Sequence, residues 1–397
     1  MRDIELRVIC FNDFFSANLG DRLLGRCLHE GLRGELDGQV DGWDIDGKSE
    51  PASTAPSRPS KARAMILPLV PRRIKTRLNV RRARHRLLSE WQRAINGTPV
   101  SAIVVGGGHL LTGTTEYFPA RLSAVGELAR ALGIGIHVHS VGVSHPDTWE
   151  AAAGEELRRF LEHSPIESIS VRDEQSAEHL SRARLARNGI SIAPDPGLLA
   201  ARTFGVEKQS LSARFSVGLG IMSPAAVTNI RPEPSGITDA FWIDVARRIS
   251  AAGGEVGLFT TGEAGDIRAA RRVSELLSAN GIAHTASGIA PKDDGDLVNN
   301  LSGFEAVLAQ RLHASIISYA LGVPSIGLGW DPKVRAFYRL TNRAEYFLDD
   351  RGARPEEAAA RVLQAAREGL DEPHRAQQIE ACHQSIRSLA AMITQGT

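Results

Sequence analysis

Three residues near the C-terminal end combine the side chains needed to hold an anion and to move a proton: Arg311, His313 and Lys333. Arg311 and His313 lie in the run Ala309-Gln310-Arg311-Leu312-His313, and Lys333 closes the run Trp330-Asp331-Pro332-Lys333. Guanidinium and ammonium groups bind carboxylate or phosphate oxygens, and imidazole exchanges a proton near neutral pH. A single histidine after a strand is more often structural than catalytic. Here three cationic or potentially cationic groups repel one another unless an anion joins them, which favours a ligand site.

The elements around these residues place them at chain turns. Residues 316–328 are apolar and read as a buried helix followed by a buried strand, so the charged groups fall at element ends. In α/β folds those ends open onto the crevice where ligands bind. The same alternation runs through most of the chain. It predicts strands at 4–10, 102–105, 134–141, 166–171 and 190–193, with helices at 21–32, 121–132, 149–161 and 173–180 between them. After Asp195-Pro196-Gly197 the pattern loosens, and it restarts with a strand at 215–221. Further strands are expected at 255–260, 306–309 and 325–328, with helices at 239–250, 266–279, 313–321, 333–340 and 355–369. The expected division is an N-terminal domain over 1–205, carrying a flexible and basic insertion at about 48–86, and a C-terminal domain over 206–397. A last helix, 373–392, has no strand after it and is expected to cross back to the first half.

A chain of 397 residues exceeds one ordinary core and suits two domains of roughly 150–200 residues each. Its net charge of +1 argues against nucleic acid as a partner, since phosphate-tracking proteins carry a basic excess. Cys10, Cys27 and Cys382 are scattered without CxxC spacing, which indicates neither a disulfide framework nor a zinc site. The charged start, Arg2, Asp3, Glu5 and Arg7, leaves no apolar signal-peptide core, and no run reaches the roughly 18 apolar residues of a membrane span. A cytoplasmic location is expected. Residues 72–86 are strongly basic and follow an apolar stretch at 64–70. This segment is either a solvated helix face, or a peripheral contact with anionic lipid at the inner face of the membrane, or a holder of an acceptor's diphosphate.

Three further places invite chemistry. Asn18-Leu19-Gly20-Asp21 opens the first helix; Asp21 is either its N-cap, or the loop offers Asn18 and backbone N–H groups to a ligand. Val105-Gly106-Gly107-Gly108 ends a buried strand without GxGxxG or P-loop spacing, yet Gly107 and Gly108 permit close approach of a ligand or a facing domain. Arg172 stands where a strand gives way to a helix headed by Asp173 and Glu174, the wrong end of the helix dipole for a cation. It either pairs with a neighbouring acid or binds a substrate anion. Glu263, Asp266, Asp293 and Asp294 read as exposed loop and helix-start residues.

Taken in order, Asn18-Leu19-Gly20-Asp21, Gly106-Gly107-Gly108, Val171-Arg172-Asp173-Glu174, Asp195-Pro196, Arg311-Leu312-His313 and Asp331-Pro332-Lys333 resemble the polysaccharide pyruvyltransferase family. The resemblance implies two Rossmann-like domains facing across a cleft, GT-B-like, with parallel sheets flanked by helices. It also implies transfer of the enolpyruvyl carbons of phosphoenolpyruvate to two hydroxyls of a sugar, oligosaccharide or lipid-linked glycan, with no cofactor or metal. On the matching positions Arg172, Arg311, His313 and Lys333 would hold the donor, with His313 the general acid and Asp21, then Asp195, the base for the sugar hydroxyls. Two departures stand out. Val141-Gly142-Val143-Ser144 lacks a proline expected after the glycine, and the insertion at 48–72 has no counterpart. The competing readings are a GT-B glycosyltransferase using a nucleotide sugar and a catalytically silent glycan-binding scaffold.

Overall fold

The computed structural model describes residues 6–48, 72–183, 189–209, 215–228 and 235–396. Apart from Lys48, the flexible stretch expected at 48–59 lies outside the described residues, as does the apolar run at 64–70. The chain forms two compact units, one of Met1–Ser16, Leu24–Asp195 and Gln384–Thr397, the other of Ala17–Leu23 and Pro196–His383.

The first unit is built on a six-stranded parallel sheet. Its strands are β1 (Arg7–Asn12), β2 (Gln39–Asp44), β3 (Ala102–Leu111), β4 (Gly135–Val143), β5 (Ile166–Val171) and β6 (Ser191–Ile192), in spatial order β2-β1-β3-β4-β5-β6. Between them run α1 (Leu19–Glu35), α2 (Arg72–Ile95), α3 (Tyr117–Leu132), α4 (Ala151–His163) and α5 (Glu174–Arg182). Ile9, Phe11, Ile103, Val105, Ile136 and Val138 are buried because helices cover the parallel sheet. Leu87, Trp91 and Ile95 bring α2 into the same core.

The strand expected to stop at Val105 instead continues through the glycines to Leu111. Gly107 and Gly108 take φ of 68° and 106°, which side-chain-bearing residues rarely adopt, and pairing with β4 shifts register between Gly108 and Leu111.

The second unit holds a second six-stranded parallel sheet: β7 (Ser216–Gly220), β8 (Glu255–Phe259), β9 (Thr285–Gly288), β10 (Ala306–Ala309), β11 (Ser325–Gly329) and β12 (Phe347–Asp349). Spatial order is β12-β11-β10-β7-β8-β9. Counted from its own first strand this is the dinucleotide-fold order, with the switch point between β7 and β10. The helices are α6 (Ala200–Phe204), α7 (Pro224–Thr228), α8 (Asp239–Ala251), α9 (Ala264–Ala279), α10 (Asp294–Ser302), α11 (Leu312–Ala320), α12 (Pro332–Leu340), α13 (Pro355–Glu368) and α14 (Glu372–Gly396).

The long stretch of the second unit runs from Pro196 to His383. The turn Pro196–Leu199 packs on α11, and α6 packs on α10 and α11, so these residues join the second sheet's helices. The last helix, α14, is shared: its stretch from Gln384 onward belongs to the first unit, with Ile386, Leu389 and Ile393 buried.

Candidate active site

The second sheet gathers ionisable groups at the carboxyl ends of its central strands, where an open α/β sheet binds ligands. Arg311 follows β10 at the N-cap of α11, and His313 lies in that helix's first turn. Beyond β8, Glu263 occupies the N-cap position of α9 without a side-chain capping bond, and Asp266 sits in the first turn. Beyond β11, Asp331 caps α12 and Lys333 follows. The indole N–H of Trp330 donates to the Gln310 carbonyl at 3.0 Å, tying the ends of β11 and β10 together.

Asp266 corrects the sequence reading. It stands at a helix start as expected, but is buried there, only 1 % exposed. Its Oδ2 accepts from Arg311 Nε at 2.9 Å and pairs with Nη2 at 2.8 Å, while Oδ1 accepts from the Ser223 backbone N–H at 2.8 Å. One buried carboxylate thereby fixes the guanidinium plane and ties the ends of β7, β8 and β10. Glu263 is also drawn in. Burial pushes its carboxyl up, with Arg311 opposing and Asp266 and Asp21 adding to the rise.

His313 is seated by the start of α1. An added Cβ at Gly20 would lie 2.4 Å from His313 Cβ and 2.6 Å from its Nδ1, so only glycine allows the imidazole into this position. The Leu19 N–H donates to the Thr261 carbonyl at 2.8 Å, anchoring that helix start in the second unit. The helix is capped by Asn18, whose Oδ1 accepts from the Gly20 N–H at 3.1 Å. Asp21 is therefore not the cap, and its Oδ1 stands 3.5 Å from His313 Nδ1. Side-chain exposures of 13 % for His313 and 32 % for Asp21 leave both accessible.

Lys333 Nζ lies 3.2 Å from Asp331 Oδ2 and 5.3 Å from the centre of the Trp330 ring. The mutual repulsion expected of Arg311, His313 and Lys333 is thus answered within the chain, by Asp266, Asp21 and Asp331 respectively. What remains distinctive is a partly exposed histidine, a carboxyl with raised proton affinity and an oriented arginine in one place.

The other predicted site residues belong to the first unit. Arg172 is 4 % exposed and paired to Asp173 at 3.2 Å and to Asp195 at 3.5 Å, which is the ion-pair reading. Asp173 Oδ1 also caps α5 by accepting from the Ser176 N–H. Asp195, the second choice of base, is buried against that arginine. Gly142, where a proline was expected to follow, explains itself by contact: a Cβ there would lie 2.5 Å from His109 Nδ1 and 3.0 Å from Arg172 Cζ. The glycine run likewise serves packing. A Cβ at Gly106 would meet the His139 carbonyl at 2.5 Å, and one at Gly107 would meet Asn12 Nδ2 at 3.0 Å and the Leu24 carbonyl at 3.2 Å. Asn12 Nδ2 donates to the carbonyls of Gly106 and Gly107 at 2.5 and 2.7 Å.

Behind that strand, His139 is sealed in. Its Nδ1 lies 3.1 Å from Ser170 Oγ, and burial, aided by neighbouring His137, pushes its pKa from 6.5 to about 4.

Comparison with known proteins adds two findings. A family model described as Polysaccharide pyruvyl transferase matches residues 18–332. No curated protein matches the chain. Among solved structures, a protein described as a UDP-N-acetylglucosamine 2-epimerase from Listeria monocytogenes aligns with TM-score 0.61 at 11% identity, over 98% of this chain and 96% of its own. The UDP-GlcNAc 2-epimerase of Neisseria meningitidis, bound to UDP-GlcNAc, aligns with TM-score 0.54 at 9% identity, over 98% and 99%. At such identities these two share the fold with this chain, a pair of Rossmann-like units of the GT-B kind.

Proposed function

This chain belongs to the polysaccharide pyruvyl transferase family, and from that premise we propose that it transfers the enolpyruvyl carbons of phosphoenolpyruvate to two hydroxyls of a sugar in a cell-surface polysaccharide or its precursor. The products are a cyclic pyruvate ketal and phosphate. The observation that carries this reading is the seating of His313 between Gly20 and Asp21, close to an arginine held in a fixed plane by Asp266.

Each step has a residue suited to it. Arg311 offers the donor planar N–H groups for carboxylate or phosphate oxygens, and Lys333 adds a point charge. Donor binding sets these cations in competition between their own aspartates and the ligand. His313 gives a proton to the methylene carbon, leaving an oxocarbenium-like centre at the adjacent carbon. A sugar hydroxyl attacks that centre, its proton taken by Asp21 or by Glu263, whose burial raises its proton affinity. The second hydroxyl then displaces phosphate, which leaves carrying the second hydroxyl's proton and is stabilised by Arg311 and Lys333.

Ligand-dependent melting tests the donor assignment, because a ligand that binds the native state raises its melting temperature. Phosphoenolpyruvate should stabilise the protein and a nucleoside diphosphate should not. The reverse pattern would replace this reading with nucleotide-sugar glycosyl transfer. Phosphate release from phosphoenolpyruvate in the presence of candidate glycans, with mass spectrometry of the pyruvylated product, then identifies the acceptor.

A further inference from the structure

We propose that the outward face of α2 is a landing surface for an anionic lipid membrane. Its sequence holds nine Lys and Arg residues against one acid, Glu90, a net of +8 within a chain whose total is +1. The remainder of the chain is therefore net acidic, and the positive charge is a local concentration.

Burial divides this helix lengthwise. Thr76, Val80, Leu87, Trp91 and Ile95 are buried and recur at helical spacing, so one face is committed to the core. The opposite face presents Lys75, Leu78, Arg82, His85, Ser89 and Arg93, all exposed and again recurring every three or four residues. On the flanks, Arg77 pairs with Glu155, Arg84 with Glu127, and Arg86 with Asp46 and Glu90. Lys75, Arg81 and Arg82 have no acidic partner among the described residues.

A face that needed only solvation would mix its signs, since like charges four residues apart repel along a helix. Arg77 with Arg81 and Arg82 with Arg86 keep that unfavourable spacing. An external anionic surface compensates it. The choice of lipid over another polyanion comes from Leu78, a large apolar side chain 44 % exposed among the cations. Apolar side chains set within a basic helix face enter the boundary between headgroups and acyl chains, while long Lys and Arg stems reach the phosphates above it. The inference is independent of the pyruvyl-transfer reading, because vesicle binding is measured without turnover.

The test is co-sedimentation of the full chain with vesicles of phosphatidylcholine alone or mixed with phosphatidylglycerol. Binding is expected only to the mixed vesicles and should weaken with salt. The triple variant Lys75→Glu, Arg82→Glu, Arg93→Glu should lose about tenfold or more in apparent affinity while its melting temperature holds. A second measurement guards against a misfolded variant: Leu78→Cys carrying an environment-sensitive fluorophore should report an apolar shift on mixed vesicles. The native cysteines, Cys10, Cys27 and Cys382, are buried and leave that label specific. The proposal is overturned if the wild-type chain does not sediment with anionic vesicles, if the Leu78 label reports no shift, or if duplex oligonucleotide binds at least as tightly as the vesicles do.

Discussion

Arg172 and Arg311 follow parallel strands in separate units, each beside an aspartate in or next to the first turn of a helix, yet the chain surrounds them differently. Arg172 is nearly sealed and meets two carboxylates, Asp173 and Asp195. Arg311 keeps 20 % of its side chain exposed and meets one, Asp266, which is itself held by the Ser223 N–H. The histidines divide the same way: His139 is buried and kept neutral, whereas His313 is accessible beside an acid. The contrast shows that a basic residue at a strand end is not by itself a ligand site. Access and the balance of nearby acid decide whether it holds the fold together or remains free to exchange partners.

That division can be broken by experiment. His313→Gln should lower the rate of phosphate release by about 10²–10⁴-fold, the usual worth of a general acid, with the melting temperature unchanged. A variant with near-normal turnover removes His313 from the chemistry. Arg172→Met should do the opposite, costing about 3–5 kcal/mol of stability in denaturant because it strands the buried carboxylate of Asp195 and the half-buried one of Asp173. If Arg172→Met instead melts like the parent but fails to bind phosphoenolpyruvate, the contrast between the arginines collapses.

The histidines give a pH version. His139 has its pKa depressed by burial, so the unfolded chain takes up a proton below 6.5 that the folded one refuses until about 4. Stability present above pH 6.5 should therefore fall by about 3 kcal/mol as pH drops to 4, with the denaturation midpoint as readout. His139→Gln should flatten that slope; an equally steep slope in the variant would assign it to other groups. Smallest of all, Gly20→Ala should displace His313 and cut turnover by about tenfold or more, with modest loss of stability, since small misplacement of a reacting group is costly. Full activity in that variant would mean the imidazole does not need its seat.

Much of this was legible in the chain. Alternating β-branched runs and helical stripes gave the two parallel sheets, and Arg311, His313 and Asp21 stood out by type and position. Edge strands were hidden: β2, β9 and β12 are short, polar or half-exposed, and no buried run announces them. The strand that includes Gly106, Gly107 and Gly108 reads as finished at Val105 because glycine runs usually signal turns, whereas here Asn12 donates to the carbonyls of Gly106 and Gly107 and keeps the run in the sheet. Asp266 does not stand out in the sequence because its role is made by tertiary contact with Arg311. One signal finds it: Glu263 and Asp266 follow β8 as Arg311 follows β10, which places the two acids and the arginine at the same edge of one sheet.

Gly20 carries a last consequence. A histidine on an open helix samples several rotamers, and a ligand that needs one of them must freeze the rest on arrival. Here the first turn of α1 lacks the one atom that would exclude the ring, and the imidazole fills that gap with Nδ1 turned toward Asp21. The ring's conformational entropy is thus surrendered when the protein folds, so a ligand arriving at this site would meet a side chain already oriented.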